Sequence, residues 1–339
     1  MKKSLATLTF TVLALSAIVI PGLVSRYSAS AESKLNSSQV APAASAAAQD
    51  LTATTTDLAT GMVMPTKAVY ALNANNVLFI LQPGATSFTR LTPINGTDGN
   101  VTGIDFRPFD KRLYALTDRG TLYTIALGAT NLGNATKVST LSPRFDGGYQ
   151  SLMDFNPVVD AIRLISSESD NYAVVKDANG ILNTTAVQTS MTYAVGDVNA
   201  GKTPKVIGGA YTNNVAGATT TLFYAMDHDL DTLVTIADKN ATGSSNTGGG
   251  KLQTIGRLVD IAGNQITVNA LADLDIVTIN GINFLVGASR DITFQISLNQ
   301  INPNLPLGTT QNVVVQGFGF PTNPIARSSF IDIAASTLQ

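Results

Sequence analysis

The sequence predicts an all-β fold, a β-propeller of five four-stranded blades closed by strands from both ends of the chain, with six blades as the alternative. Three observations carry this reading. Short apolar segments of period two recur in a fixed order along residues 67–339. Gly, Asn, Asp and Pro punctuate them, and first strands return at blade-sized intervals of roughly 50–65 residues. The two ends of the repeat region are each incomplete, and together they make one further blade.

Residues 1–31 precede the repeats. Lys2 and Lys3 give a short positive start, residues 5–20 are an unbroken apolar run ended by Pro21 and Gly22, and Ala29, Ser30 and Ala31 form a small-x-small cleavage pattern. This is the layout of a Sec-type signal peptide, so the chain is expected to be exported to the periplasm, the cell surface or the medium. An uncleaved anchor over residues 5–24 is the alternative, because that run is about long enough to span a bilayer. Residues 32–66 are rich in Ala, Ser and Thr and poor in large apolar side chains. Such a segment buries too little to offset its ordering entropy and is read as a flexible linker, with a short alanine helix at residues 43–50 as a variant.

The repeats follow as a domain over residues 67–339. The clearest copy runs VTGIDF (101–106), RLYAL (112–116), TLYTI (121–125) and KVSTL (137–141). Pro108 sits just past the first of these strands, where it interrupts no ladder. A second copy reads SLMDFNP (151–157), AIRLI (161–165), YAVV (172–175) and AVQ (186–188), and a third VIGGAY (206–211), TLFYA (221–225), TLVTI (232–236) and LQTI (252–255). The fourth is weaker, with LDIV (274–277), NFLV (283–286), ITFQI (292–296) and VVV (313–315). At the start, AVYAL (68–72), VLFIL (77–81) and FTRL (88–91) are a blade without its first strand; near the end, SFIDI (329–333) is a first strand without a blade. Joining them removes the open edges an unclosed array would leave. A sixth blade would have to come from residues 261–268 and the long loops.

Several segments carry a family resemblance: GIDFRP (103–108), LYAL (113–116), DFNP (154–157), IRLI (162–165), GDVNAG (196–201), AYTN (210–213), ATTTL (218–222) and DTL (231–233). In this order the chain resembles the bacterial domain-of-unknown-function family numbered 4394 over about residues 69–298. The resemblance implies an exported bacterial β-repeat domain, and it assigns no catalytic residue.

Composition narrows the chemistry. The formal net charge is −2, with 21 basic and 23 acidic residues, so there is no basic excess to neutralise phosphates and nucleic acid is not an expected partner. Cysteine is absent, which excludes disulfides, thiolate metal sites and a cysteine nucleophile. Glu32 and Glu168 are the only glutamates; aspartates supply the remaining carboxylates and are read mostly as turn residues.

Four features are weighed as sites. His228, the single histidine, lies in DHDLD (227–231) and is expected as an exposed turn residue without a nucleophile beside it. Asp227, Asp229 and Asp231 alternate as in a calcium loop, but Thr232 stands where such a loop needs glycine and Ala237 where it needs glutamate, so they are weak metal candidates. Asp105 and Asp154, with Asp275 and Asp332 as rough counterparts, recur in first strands that line a propeller's axis. They are read as residues fixing the turn into the next strand, with a cation-binding ring as the alternative. Arg163, a charge within an apolar strand, is a weak candidate for binding an anionic ligand, against a structural pairing with a neighbouring carboxylate.

No catalytic residue and no cofactor is assigned beyond calcium as an outside option. The expected function is a monomeric, non-catalytic binding or surface-interaction module for a protein, a surface polymer or a small ligand, with no membrane contact after signal cleavage. A calcium-dependent lactonase-like or lyase-like propeller enzyme and a structural envelope or matrix component are the alternatives.

Overall fold

The computed structural model describes residues 49–50, 67–85, 88–239, 243–245, 249–268, 270–279, 282–289, 292–319 and 330–337. The leader expected over residues 1–31 lies outside the described residues, as does the linker over residues 32–66 except for Gln49–Asp50, which pairs in parallel with Ile266–Thr267. No helix among the described residues is long and apolar enough to cross a membrane.

Five four-stranded antiparallel sheets form the blades of a propeller. Blade I takes its inner strand, Phe330–Ala335, from the end of the chain and continues outward through Val69–Asn73, Val77–Leu81 and Thr89–Pro93. Blade II is Val101–Phe106, Leu113–Thr117, Thr121–Ile125 and Ala135–Thr140; blade III is Ser151–Asn156, Ala161–Ser166, Asn171–Lys176 and Leu182–Val187. Blade IV is Val206–Tyr211, Phe223–Asp227, Thr232–Ile236 and Lys251–Val259, and blade V is Ala272–Ile279, Ile282–Ser289, Ile292–Ser297 and Gln316–Gly319. The closure expected from the isolated C-terminal strand is present: Ala71 faces Ile333 and Leu72 faces Asp332 across the ladder.

The inner strands are buried at nearly every position, because each blade is sandwiched between two others. Alternate residues therefore serve opposite neighbours. Val69 and Ala71 pack with Val286 and Ala288 of blade V, whereas Tyr70 and Leu72 pack with Ile104 and Phe106 of blade II. Each of the five interfaces has its own apolar cluster. Near the axis the inner strands approach so closely that side chains must be missing. A Cβ on Gly103 would lie 2.8 Å from that of Met153, and one on Gly208 would lie 2.6 Å from Asp273 Oδ1.

Two expectations are corrected. Val313–Val314 is not the outer strand of blade V; Gln316–Gly319 takes that place. Instead Val313–Val314 pairs in parallel with Leu258 and Val259 on the outer edge of blade IV. That edge is long, and Thr192–Tyr193 covers its other end, so unpaired N–H and C=O groups are capped at both ends. Residues 261–268 hold a two-residue strand, not a hidden blade.

Antiparallel blades put the turns from inner to second strand, and from third to outer strand, on one face of the disc. The turns from second to third strand and the connections between blades lie on the other.

Candidate functional site

At the axis, five aspartates tie neighbouring blades together. Asp332 of blade I accepts the Ile104 N–H of blade II at 2.6 Å, Asp105 accepts Phe155 N–H of blade III at 2.7 Å, and Asp154 accepts Tyr211 N–H of blade IV at 3.0 Å. Blade V reaches blade I twice, through Asp273 to Ile333 N–H at 2.9 Å and Asp275 to Ala335 N–H. Asp105, Asp275 and Asp332 also accept the N–H of the residue that follows each. The expected turn-fixing role is thus replaced by a bond to the next blade. Blade IV has Gly208 in this region, and the space it leaves is filled by Asp273.

All five carboxyls are at most 3% exposed. Burial raises every one of them, most for Asp105, Asp154 and Asp332, to about 6 for Asp273 and to about 7 for Asp275; neighbouring carboxylates add to the rise for all but Asp273, whose contact with Asp332 lowers it, and backbone N–H groups oppose throughout. Asp105, Asp154 and Asp275 place one oxygen each within 4.8 Å of one another across the axis. Buried like charges at that spacing require shared protons or a counter-charge.

His228 is not the exposed turn residue expected. Its side chain is 8% exposed, Nε2 lies 2.5 Å from Tyr149 Oη and 3.2 Å from Asp229 Oδ1, and the rings meet edge to face. Burial, with help from Asp229 and Glu168, raises the Tyr149 phenol and keeps it neutral. The contact joins the connection before blade III to a turn of blade IV, beside the Lys205–Glu168 ion pair at 2.8 Å.

The three alternating aspartates diverge. Asp227 is buried and accepts Tyr193 Oη–H at 2.7 Å, Lys205 N–H at 3.1 Å and Asp229 N–H at 3.1 Å. Asp231 turns to Val268 N–H at 2.8 Å, and Asp229 stands beside His228. Arg163 is buried between blades III and IV; its Nε donates to Tyr211 Oη at 2.5 Å and its Nη1 to Asn171 Oδ1 at 2.6 Å, with the guanidinium over the Tyr211 and Phe223 rings. That environment holds blades together and offers no open anion site.

The sequence did not reveal a cleft of about 550 Å³ between blades IV and V, on the face of the inner-to-second-strand turns. Asn213, Thr220 and Leu222 form one wall, and Ile282, Asn283 and the loop after Ile292–Ser297 form the other. Tyr224, 2% exposed, closes the floor. Lys239 pins the far wall by donating to Pro303 O at 2.8 Å and to Asn304 Oδ1 at 3.3 Å. Among the described residues, no carboxylate, amine, guanidinium or imidazole lines the cleft. The only sequence signal was a long Asn- and Pro-containing loop at residues 298–312, whose destination the pattern does not show. A second cleft, about 480 Å³, lies along blade II beside Lys111 and Arg112.

A family model described as domain of unknown function (DUF4394) matches residues 77–316. No curated protein matches the chain. Among solved structures, the crystal structure of the major Malassezia sympodialis allergen Mala s 1 is similar with a TM-score of 0.40 and 11% identity, over 76% of this chain and 79% of that one.

Proposed function

The chain belongs to the DUF4394 family of domains of unknown function, and we propose that it is an exported, non-catalytic binding module whose ligand seats in the cleft between blades IV and V. One observation carries this reading: a cleft within the usual size range of ligand sites is lined, among the described residues, by amides, hydroxyls and apolar side chains and by no carboxylate, amine, guanidinium or imidazole, and its phenol, Tyr224, is held protonated by burial. General acid–base and nucleophilic chemistry need such groups within reach of the substrate. The carboxyls with shifted acidity lie elsewhere. The axial aspartates are buried and bonded to backbone, and neither cleft includes them. The leader-like residues 1–31 support export.

Ligand-observed NMR of the full chain against a mixed set of saccharides, short peptides and small charged molecules tests the proposal. Thr220→Trp fills the cleft from an exposed wall position and is expected to abolish binding, while Asp154→Asn leaves it intact. Chemical turnover of a bound molecule that vanishes in a folded Asp154→Asn protein would overturn the reading.

A further inference from the structure

We infer that the cleft between blades IV and V takes a neutral oligosaccharide, held by a surplus of hydrogen-bond donors; this rests on the binding-module reading above. The donors and acceptors in the cleft are unequal. Every amide oxygen on its walls is engaged: Asn213 Oδ1 accepts from Asn283 Nδ2 at 3.4 Å, Asn283 Oδ1 from Thr278 Oγ1 at 2.7 Å, Asn299 Oδ1 from Ser297 Oγ, and Asn304 Oδ1 from Lys239. Lysine only donates, so the bond from Lys239 fixes Asn304 with its Nδ2 turned the other way. The Nδ2 groups of Asn299 and Asn304 have no hydrogen-bond partner among the described residues.

The floor adds a third donor. Tyr224 is almost wholly buried, lines the cleft, and its hydroxyl makes no hydrogen bond among the described residues. Burial alone raises its pKa to about 12, so it stays protonated and able to donate. The hydroxyl is open to water through the cleft, and a ligand oxygen placed there would take over that water's bond.

A ligand matching this surface presents oxygen acceptors, carries no charge, and has an apolar face for Leu222, Ile282, Leu298 and Ile301. Hydroxyl, ring and bridging oxygens above the C–H face of a pyranose meet all three conditions. A peptide meets them less well. Its backbone brings one N–H donor for each oxygen, whereas a linked pyranose brings about three O–H donors for five oxygens, so the sugar better matches walls whose amide oxygens are each already half engaged. An anionic sugar would be desolvated without a cation to face it.

The test is a glycan array bearing neutral and anionic oligosaccharides, together with acetylated and amidated short peptides, probed with the full chain and followed by calorimetry. Neutral oligosaccharides are expected to bind, and Tyr224→Phe to weaken them roughly 3–10-fold, the worth of one hydrogen bond. The melting temperature should be unchanged or slightly raised, because no internal bond is lost. Thr220→Trp should abolish binding. If only peptides or anionic sugars bind, and Thr220→Trp removes them, the ligand class is overturned while the binding module stands. If a neutral oligosaccharide binds but neither variant affects it, the site is overturned. If nothing binds in the cleft, both readings fall.

Discussion

The axial carboxyls make an unusual prediction about pH. Acidic groups paired with cations or backbone donors normally sit below their free value and stabilise a fold as pH rises. Here Asp273 and Asp275 move from 3.8 to about 6 and about 7, and Asp105, Asp154 and Asp332 move the same way. Between the unfolded and folded values, the native state binds the extra protons. Stability is then fully present below about pH 4 as far as these groups are concerned, and is lost as pH rises through about 6 and 7. At about 1.4 kcal/mol per unit, Asp273 contributes a loss of about 3 kcal/mol and Asp275 one of about 4 kcal/mol. For a domain of this size a loss of about 3 kcal/mol lowers the melting temperature by roughly 6–10 °C. Asp98, Asp160, Asp177 and Asp260 are lowered and titrate below this window, so they do not mask it. Urea unfolding of the full chain across pH 4–8 reads the slope, and Asp275→Asn isolates one group. Asparagine keeps an acceptor for one of the two N–H groups and cannot ionise, so the variant is expected to be less stable at low pH and to show a flatter decline. A wild-type stability that is level or rises from pH 5 to 8, or a slope unchanged in Asp275→Asn, would refute the argument.

Other perturbations follow from the same contacts. Phe330→Ala removes a ring that is 1% exposed and packed against Phe79 and Phe88 at 5.3 and 5.0 Å, so a loss of about 3–5 kcal/mol by urea denaturation is expected. Gly208→Ala drives a methyl to within 2.6 Å of Asp273 Oδ1 and 2.7 Å of its Cα, and calorimetry should show about 1–3 kcal/mol of destabilisation. Arg163→Met leaves the buried Tyr211 hydroxyl and the Asn171 amide without their guanidinium partner; a cost of about 2–5 kcal/mol is expected, with ligand binding in the IV/V cleft retained. Tyr149→Phe removes the bond to His228 and should cost about 1–2 kcal/mol by thermal unfolding.

What could be read in the sequence, and what could not, divides along the blades. The strands were legible because their signals are local: period two, a turn residue, a proline past a strand end. Even the closure was legible, since residues 68–91 lacked an inner strand and residues 329–333 lacked a blade. The recurrence of Asp105, Asp154 and Asp332 was visible too, but its purpose was not. Each of these aspartates bonds to a backbone N–H some 50 or more residues away in sequence, or across the chain closure, and a repeat viewed alone offers only its own turn as a partner. Asp273 escaped notice because the inner strand of blade V carries two aspartates where those of blades I, II and III carry one and that of blade IV carries none. His228 was placed correctly in a turn, yet Tyr149, 79 residues earlier, decides that it is buried.

The same geometry explains why candidate sites are the hardest part of such a chain to read. A four-stranded blade satisfies its backbone internally, so its sequence answers to turns and to strand period. The blade-to-blade aspartate bonds, the Arg163 and His228 contacts and the IV/V cleft all lie between blades, where the partners are set by the closure of the ring. The cleft is the extreme case. It depends on the loop at residues 298–312 returning to blade IV, where Gln311 N–H bonds Ile255 O at 3.0 Å and Lys239 holds Pro303 and Asn304. None of these pairings has a local signature. A loop that does no more than connect two strands would have no cause to bond a neighbouring blade's outer edge or to bring Asn299 and Asn304, whose Nδ2 groups have no partner among the described residues, into one cleft with Tyr224, and that arrangement is what gives the cleft its claim as the working surface.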